Sequence, residues 1–149
     1  MKRFFDTNIL LYRYDVSAPR KRHLANELLD AALLDGSFQI STQVMVEFRD
    51  AATRKFKQHL HPDDIYRLLL VWESFDVVPT TAALVIEASE RCRKHQLGWW
   101  DSLILSAAVR GGASVLYSED FQHGRSIDGV RIENPFANSV HEPRAEYRV

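Results

Sequence analysis

The chain has 149 residues, 46% of them hydrophobic and 26% charged, which is the balance of one ordinary globular domain and not of a disordered segment. Nineteen Lys and Arg stand against twenty Asp and Glu, a formal net charge of -1. That excludes a bulk electrostatic nucleic-acid binder, whose pI would exceed about 9, but not an enzyme that reaches nucleic acid through metal ions.

The opening MKRFFDTNILLY starts like a signal peptide, but Asp6 and Asn8 interrupt its apolar stretch too early. No run of about 18 apolar residues follows. A single cysteine, Cys92, forms no internal disulfide. Together these predict a soluble, cytoplasmic protein with no membrane segment.

In chain order, Lys2 to Phe5 reads as a strand and Thr7 to Tyr14 as a short helix. Pro19 suits a first helical position, and a helix over Arg20 to Leu34 carries a stripe of Leu24, Leu28, Ala31 and Ala32, closed by Asp35-Gly36. Phe38 to Ile40 is a second strand. Ser41 or Thr42 caps a helix to about Gln58 with Met45, Phe48, Ala52 and Phe56 on one face. Pro62-Asp63-Asp64 marks another helix start, its acids near the positive end of the dipole. Phe75 to Val78 is a third strand, and Thr80 or Thr81 caps a helix ending near His95. Gly98 precedes a helix from Trp99 to Arg110, stopped by Gly111-Gly112. Ser114 to Tyr117 is the fourth strand and Val130 to Ile132 an edge strand. From Pro135 the sequence turns polar, which predicts a single domain over 1–136 and a loose tail over 137–149. Strands alternating with helices of this length imply a parallel sheet covered on both faces, the α/β class.

In such sheets ligands bind beyond the carboxyl ends of the strands. The first strand delivers Asp6-Thr7-Asn8 there, the second leads within a turn and a half of helix to Glu47, and the fourth delivers Ser118-Glu119-Asp120. Asp101 opens the helix that feeds the fourth strand. Four carboxylates from distant parts of the chain thus converge on one rim, a set of hard oxygen ligands suited to Mg²⁺ or Mn²⁺. Asp6 is embedded in apolar sequence between Phe4-Phe5 and Ile9-Leu10-Leu11, where a lone charge is costly, although a helix cap would also account for it. Asp101 heads a stripe of Ile104, Leu105 and Ala108 and needs a partner there.

Asp6-Thr7-Asn8 after the first strand resembles the opening motif of PIN domains. Glu47 in VMVEF, Asp101 in WWDSLILSAA and Asp120 in YSEDFQHG resemble that family's second, third and fourth acidic motifs. Spacing and length are similar to the VapC-type toxin ribonucleases of bacterial toxin–antitoxin pairs, from Met1 to about Phe136. The resemblance implies a PIN-like three-layer α/β/α sandwich around a parallel sheet of four to five strands. It also implies a metal-dependent endoribonuclease, a homodimer, and a small antitoxin that blocks the site. Glu119 and Asp120 compete for the fourth position. Alternation at the end of a strand points them to opposite faces, and the loop begins at Asp120, which favours Asp120. Ser118 reads as an orienting donor.

Hydrolysis of a phosphodiester fits this set, with metal ions held by Asp6 and Asp101, and Glu47 and Asp120 completing the shell or orienting the attacking water. The six histidines (His23, His59, His61, His95, His123, His141) have no metal-ligand spacing, and His123 reads as a loop residue. Arg49, Arg54, Lys55 and Lys57 could attract phosphate from one helix, a pattern that solvated faces share. Trp100 falls on the apolar stripe of Leu103, Ile104 and Ala107. Trp99, about 100° away, is expected to be partly exposed, for base stacking, a protein partner or helix packing. The alternatives are a housekeeping PIN nuclease, a catalytically inactive binding domain, and a receiver-like phosphoacceptor. The last needs a lysine at a late strand end, whereas Lys94 is the last lysine of the chain.

Overall fold

A computed structural model describes residues 1–121, 123–137, 144, 145 and 147. The chain order is β1 (Lys2–Phe5), α1 (Thr7–Tyr12), α2 (Pro19–Asp35), β2 (Phe38–Ser41), α3 (Thr42–Lys55), α4 (Pro62–Glu73), β3 (Asp76–Val78), α5 (Ala82–His95), α6 (Trp99–Arg110), β4 (Ala113–Tyr117), β5 (Ser126–Ile127) and β6 (Val130–Glu133). The helix boundaries follow local chemistry. Ser41 caps α3 by accepting from the Val44 N–H at 3.3 Å, and Thr81 caps α5 by accepting from Leu84 at 3.2 Å. His61 and Asp64 form a reciprocal capping box at the head of α4, where Pro62 takes the first position. Gly36, at φ 77, ends α2 in the left-handed region that favours glycine.

Six strands lie in the order β3-β2-β1-β4-β6-β5, parallel except for β5. The chain moves outward from β1 through β2 to β3, then crosses back to β4 on the other side of β1. Right-handed crossovers place α1 to α4 over one face and α5 and α6 over the other, which is the α/β/α sandwich. Phe4, Phe5, Phe38, Ile40, Leu105 and Leu116 are fully buried at its centre. Phe5 stacks on Phe38 and on Tyr117 with ring centroids 5.5 and 5.3 Å apart.

Three details depart from the sequence expectation. Val130 to Ile132 is not an edge strand: β6 pairs parallel with β4, and the edge is β5, which folds onto β6 through Asp128-Gly129. Both turn residues have positive φ, 48 and 86, the conformation of a tight primed hairpin. In α2 the fully buried stripe is Ala25, Leu29 and Ala32, headed by Lys21; Leu24 and Leu28 are only partly covered, and Ala31 is exposed. Within the tail, Tyr147 is not loose but buried in the core.

Candidate active site

The sheet reverses its winding between β1 and β4, and at such a switch point the loops leaving neighbouring strands part and open a crevice. Asp6 and Ser118 leave β1 and β4 side by side there, joined by the Asp6 N–H donating to the Tyr117 carbonyl at 3.0 Å. The Asp6 carboxylate is completely buried. Its Oδ1 accepts from the Thr7 N–H at 2.7 Å and its Oδ2 from the Ser118 hydroxyl at 2.7 Å. Asp6 therefore does cap α1, and the same carboxylate forms the floor of the crevice. Its partners are neutral donors, and no ion pair reaches it among the described residues. A buried carboxylate met by neutral donors alone is costly, and a cation is one partner that offsets that cost.

From Asp6 a continuous set of contacts runs both ways. Toward β2, the Thr7 hydroxyl donates to Glu47 Oε1 at 2.8 Å, and Gln43, one turn earlier on α3, sits 3.4 Å from Glu47 Oε2. The same Gln43 amide approaches the Trp100 carbonyl at 3.4 Å, so the head of α6, with half-buried Asp101, abuts α3. Toward β4, the Ser118 hydroxyl accepts from the Asp120 N–H at 3.1 Å, and the Asn8 amide lies 3.5 Å from both Asp120 oxygens. The hydrogen bonds thus bring Asp6, Glu47 and Asp120 together through Thr7, Asn8 and Ser118, and Asp101 adjoins them through its neighbour. Among the described residues, no three His, Cys, Asp or Glu side chains form a ready-made metal cage. The donor set, carboxylates and hydroxyls throughout, fits a hard divalent cation.

Beside these acids opens a cleft of about 440 Å³ lined by Asn8, Val46, Glu47, Asp50, Trp100 and Tyr147, among others. Trp100 stands at its lip and is 56% exposed, more than Trp99 at 37%, which corrects the expected order. Asp101 leads α6 toward the sheet with Ile104, Leu105 and Ala108 fully buried, and this turns Trp100 outward. Arg49, Arg54 and Lys55 lie exposed on α3, whereas Lys57 lies beyond its end. Arg54 pairs with Asp50 at 3.1 Å. His123 is held away in its loop, its Nδ1 accepting from the Asn134 N–H at 3.0 Å, and His141 lies outside the described residues.

Glu119 turns inward, away from Asp120. Its Oε2 lies 2.6 Å from Lys21 Nζ and its Oε1 accepts from the Tyr12 hydroxyl at 2.7 Å. Burial pushes the Tyr12 hydroxyl well above its ordinary pKa, and the Glu119 carboxylate adds to the rise. Tyr147, among the described residues of the tail, packs against the same place. Tyr147 sits edge-on to Tyr12 with ring centroids 5.4 Å apart, and its hydroxyl donates to Asp15 at 2.6 Å. Burial, then Asp15, raise the Tyr147 hydroxyl strongly. Although burial works against it, Asp15 is held below its usual value by hydrogen bonds from Ser17 and Tyr147 and by the charge of Lys21. Arg144, carried by this segment, forms an ion pair with Asp120, its Nε 3.9 Å from Glu119. Neither Lys21 nor Arg144 emerged as a site residue from the sequence. A lysine in register with Ala25, Leu29 and Ala32 was the available signal for the first.

No described helix is long and apolar enough to cross a membrane. Among curated proteins none matches the chain by sequence. Among solved structures, a toxin–antitoxin complex from Klebsiella pneumoniae is similar at TM-score 0.61 and 22% identity, over 87% of this chain and 95% of that one. VapC20 of Mycobacterium tuberculosis, described as a toxin that cleaves the sarcin–ricin loop, gives 0.63 and 17%, over 80% and 90%. The DNA-bound VapBC of Salmonella typhimurium gives 0.60 and 20%, over 89% and 97%. These likenesses establish the fold. The sequence profile of the PIN domain matches residues 3–125, from β1 through the loop after Asp120, and so the chain belongs to the PIN-domain family.

Proposed function

We propose that the chain is the toxin of a type II toxin–antitoxin pair, a divalent-metal-dependent endoribonuclease of the cytoplasm. The observation that carries this reading is Asp6, a fully buried carboxylate at the switch point whose contacts are neutral donors. Asp6 and Asp101 would hold Mg²⁺, for which Mn²⁺ would substitute. When bound, such an ion acidifies water and offsets charge on phosphate oxygens. Ser118 fixes the rotamer of Asp6, Thr7 that of Glu47, and Asn8 supports Asp120. Glu47, on the wall of the cleft, is placed to accept the proton of an attacking water. An acidic pocket loaded with cations attracts RNA without global basicity, which reconciles the net charge of -1 with the substrate.

The partner would be a small antitoxin. The toxin–antitoxin complexes that share this fold support it, as does a cleft that combines apolar Val46 and Trp100 with Glu47 and Asp50. An apolar helix with one basic side chain suits that lining, and a homodimer of the toxin is the expected assembly. The test is cleavage of an unpaired fluorogenic RNA by the purified chain. Activity with Mg²⁺ or Mn²⁺ that disappears on chelation and returns on adding the ion is expected. Undiminished cleavage after exhaustive chelation would overturn the metal reading, and a folded chain that neither cleaves RNA nor arrests growth when expressed alone would overturn the toxin reading.

A further inference from the structure

Lys21 and Glu119 are the components of a buried ion pair, with side chains 4% and 5% exposed and Nζ and Oε2 only 2.6 Å apart. The Tyr12 hydroxyl completes a triangle, donating to Glu119 at 2.7 Å and lying 3.3 Å from Lys21. The Lys21 ammonium also sits over the Tyr12 and Phe136 rings, 5.1 and 5.5 Å from their centroids. Desolvating two charges is expensive, and apolar side chains of similar volume often stabilise a fold as well or better. Stability alone therefore does not account for this pair.

Its position does. Glu119 lies between Ser118, whose hydroxyl holds Asp6 at 2.7 Å, and Asp120, which Asn8 approaches at 3.5 Å. A side chain drawn inward at Glu119 fixes the backbone that aims its two neighbours at the crevice. Both of the Glu119 carboxylate oxygens are engaged, so its rotation is blocked. We propose that Lys21, with Tyr12, is a positioning residue of the nuclease site: by clamping Glu119 it sets the orientation of Ser118 and Asp120 and thereby the metal affinity and turnover of the site. This rests on the nuclease reading above, and the clamp joins α1 and α2 to the exit of β4, between Ser118 and Asp120.

Lys21→Met alone leaves the buried Glu119 charge with only the Tyr12 hydroxyl and a guanidinium 3.9 Å away, and threatens folding. The decisive variant is therefore the double Lys21→Met/Glu119→Met, which removes both charges at nearly constant volume. Tyr12→Phe, which removes one donor to Glu119, is the milder companion. Each is measured for melting temperature, Mn²⁺ affinity by calorimetry, and kcat and KM on RNA at saturating metal. For the double variant, a melting temperature near that of the wild type is expected together with about 10- to 100-fold weaker Mn²⁺ affinity, the scale typical of lost supporting contacts. Its kcat should fall while KM for RNA stays within a few-fold, and Tyr12→Phe should move the same quantities the same way by less. Unchanged Mn²⁺ affinity and kcat in either folded variant would overturn the proposal. So would a double variant that melts early but retains full kcat per folded molecule, because the pair would then be structural only. Failure of the underlying reading looks different: the wild-type chain binds no Mn²⁺, and Asp6→Asn changes nothing.

Discussion

The cap that Asp6 forms and the metal-ligand role proposed for it point to different outcomes on mutation. As the cap of α1 it accepts from the Thr7 N–H, and Asn performs that task about as well as Asp. In the proposed metal-ligand role it needs its charge. Asp6→Asn is therefore expected to keep the fold, with a melting temperature within about 4 °C, corresponding to roughly 1 kcal/mol for a chain of this size. Cleavage and Mn²⁺ binding should nevertheless fall below detection. Ser118→Ala leaves the carboxylate charged but removes its 2.7 Å donor, so metal affinity should drop by about 10- to 100-fold rather than vanish. Calorimetry beside thermal melts separates the two. If Asp6→Asn unfolds the chain, the carboxylate itself is structural, because the amide keeps the cap, and the metal-ligand reading of Asp6 falls. The placement of three of the candidate acids was legible in the sequence, because Asp6 and Asp120 follow β1 and β4 and Glu47 lies in the second turn of the helix after β2, whereas Asp101 opens α6, which follows another helix. Strand alternation already favoured Asp120 over the adjacent Glu119, but the partner that Glu119 turns to, Lys21, lies nearly a hundred residues away in the chain and left no local signal.

At the scale of elements, the sequence revealed what local periodicity and capping encode. The limits of α6 follow from Gly98 and Gly111-Gly112, and α4 begins where Pro62 and two acids predict. It was silent where the signal is too short or too distant. A two-residue strand, β5, has no period of its own and shows only in its pairing with β6 across Asp128-Gly129. The polar composition of the tail conceals Tyr147, whose partner Asp15 is 132 residues away. The docking of that segment has a pH signature. Because the Tyr147 hydroxyl is raised in the folded chain, its contribution is fully present below the ordinary tyrosine pKa of about 10 and is lost progressively as pH rises above it. Asp15, lowered in the folded chain, contributes above the ordinary carboxylate range and loses that contribution as pH falls through its folded value. Tyr147→Phe should cost about 1 kcal/mol near neutrality, the net worth of a hydrogen bond, and should flatten the alkaline limb of a melting-temperature profile. It should also flatten the acid limb, because without that hydrogen bond the folded value of Asp15 lies closer to its unfolded one. An unchanged profile from pH 3 to 11 would show that Tyr147 does not dock in solution. The same segment carries Arg144, whose guanidinium rests against Asp120 at half exposure. A metal ion arriving at that acid competes with it. Partly exposed pairs are worth about 0.2–1 kcal/mol, so Arg144→Ala should tighten Mn²⁺ binding by roughly two- to five-fold, read by the same calorimetry.

For the molecule as a whole, topology does what no local motif can. The outward winding of β1 to β3 and the return to β4 place the first and fourth acidic segments, which 112 residues separate, in hydrogen-bonding reach. The order of the motifs along the sequence already implied that meeting. The cleft that opens beside them, and the segment that supplies Tyr147 to its wall, did not follow from the order. That cleft is where the proposed partner must act, and its composition sets the terms. Val46 is 68% exposed and Trp100 56%, an apolar pair that isolated solvation does not favour, while Glu47 and Asp50 give the same wall negative charge. A partner helix would bury the first two and answer the second two with a basic side chain. Val46→Asp places a charge in the apolar part of that contact, where an unpaired carboxylate cannot be desolvated cheaply. It should weaken capture of the antitoxin by at least about ten-fold, or 1.4 kcal/mol, and co-expression of the antitoxin should then no longer restore growth. Metal affinity should hold, because Val46 offers no ligand atom and none of the site's hydrogen bonds pass through it. If the antitoxin still neutralises the Val46→Asp chain with undiminished affinity, the partner binds another face, and the cleft is left to the RNA alone.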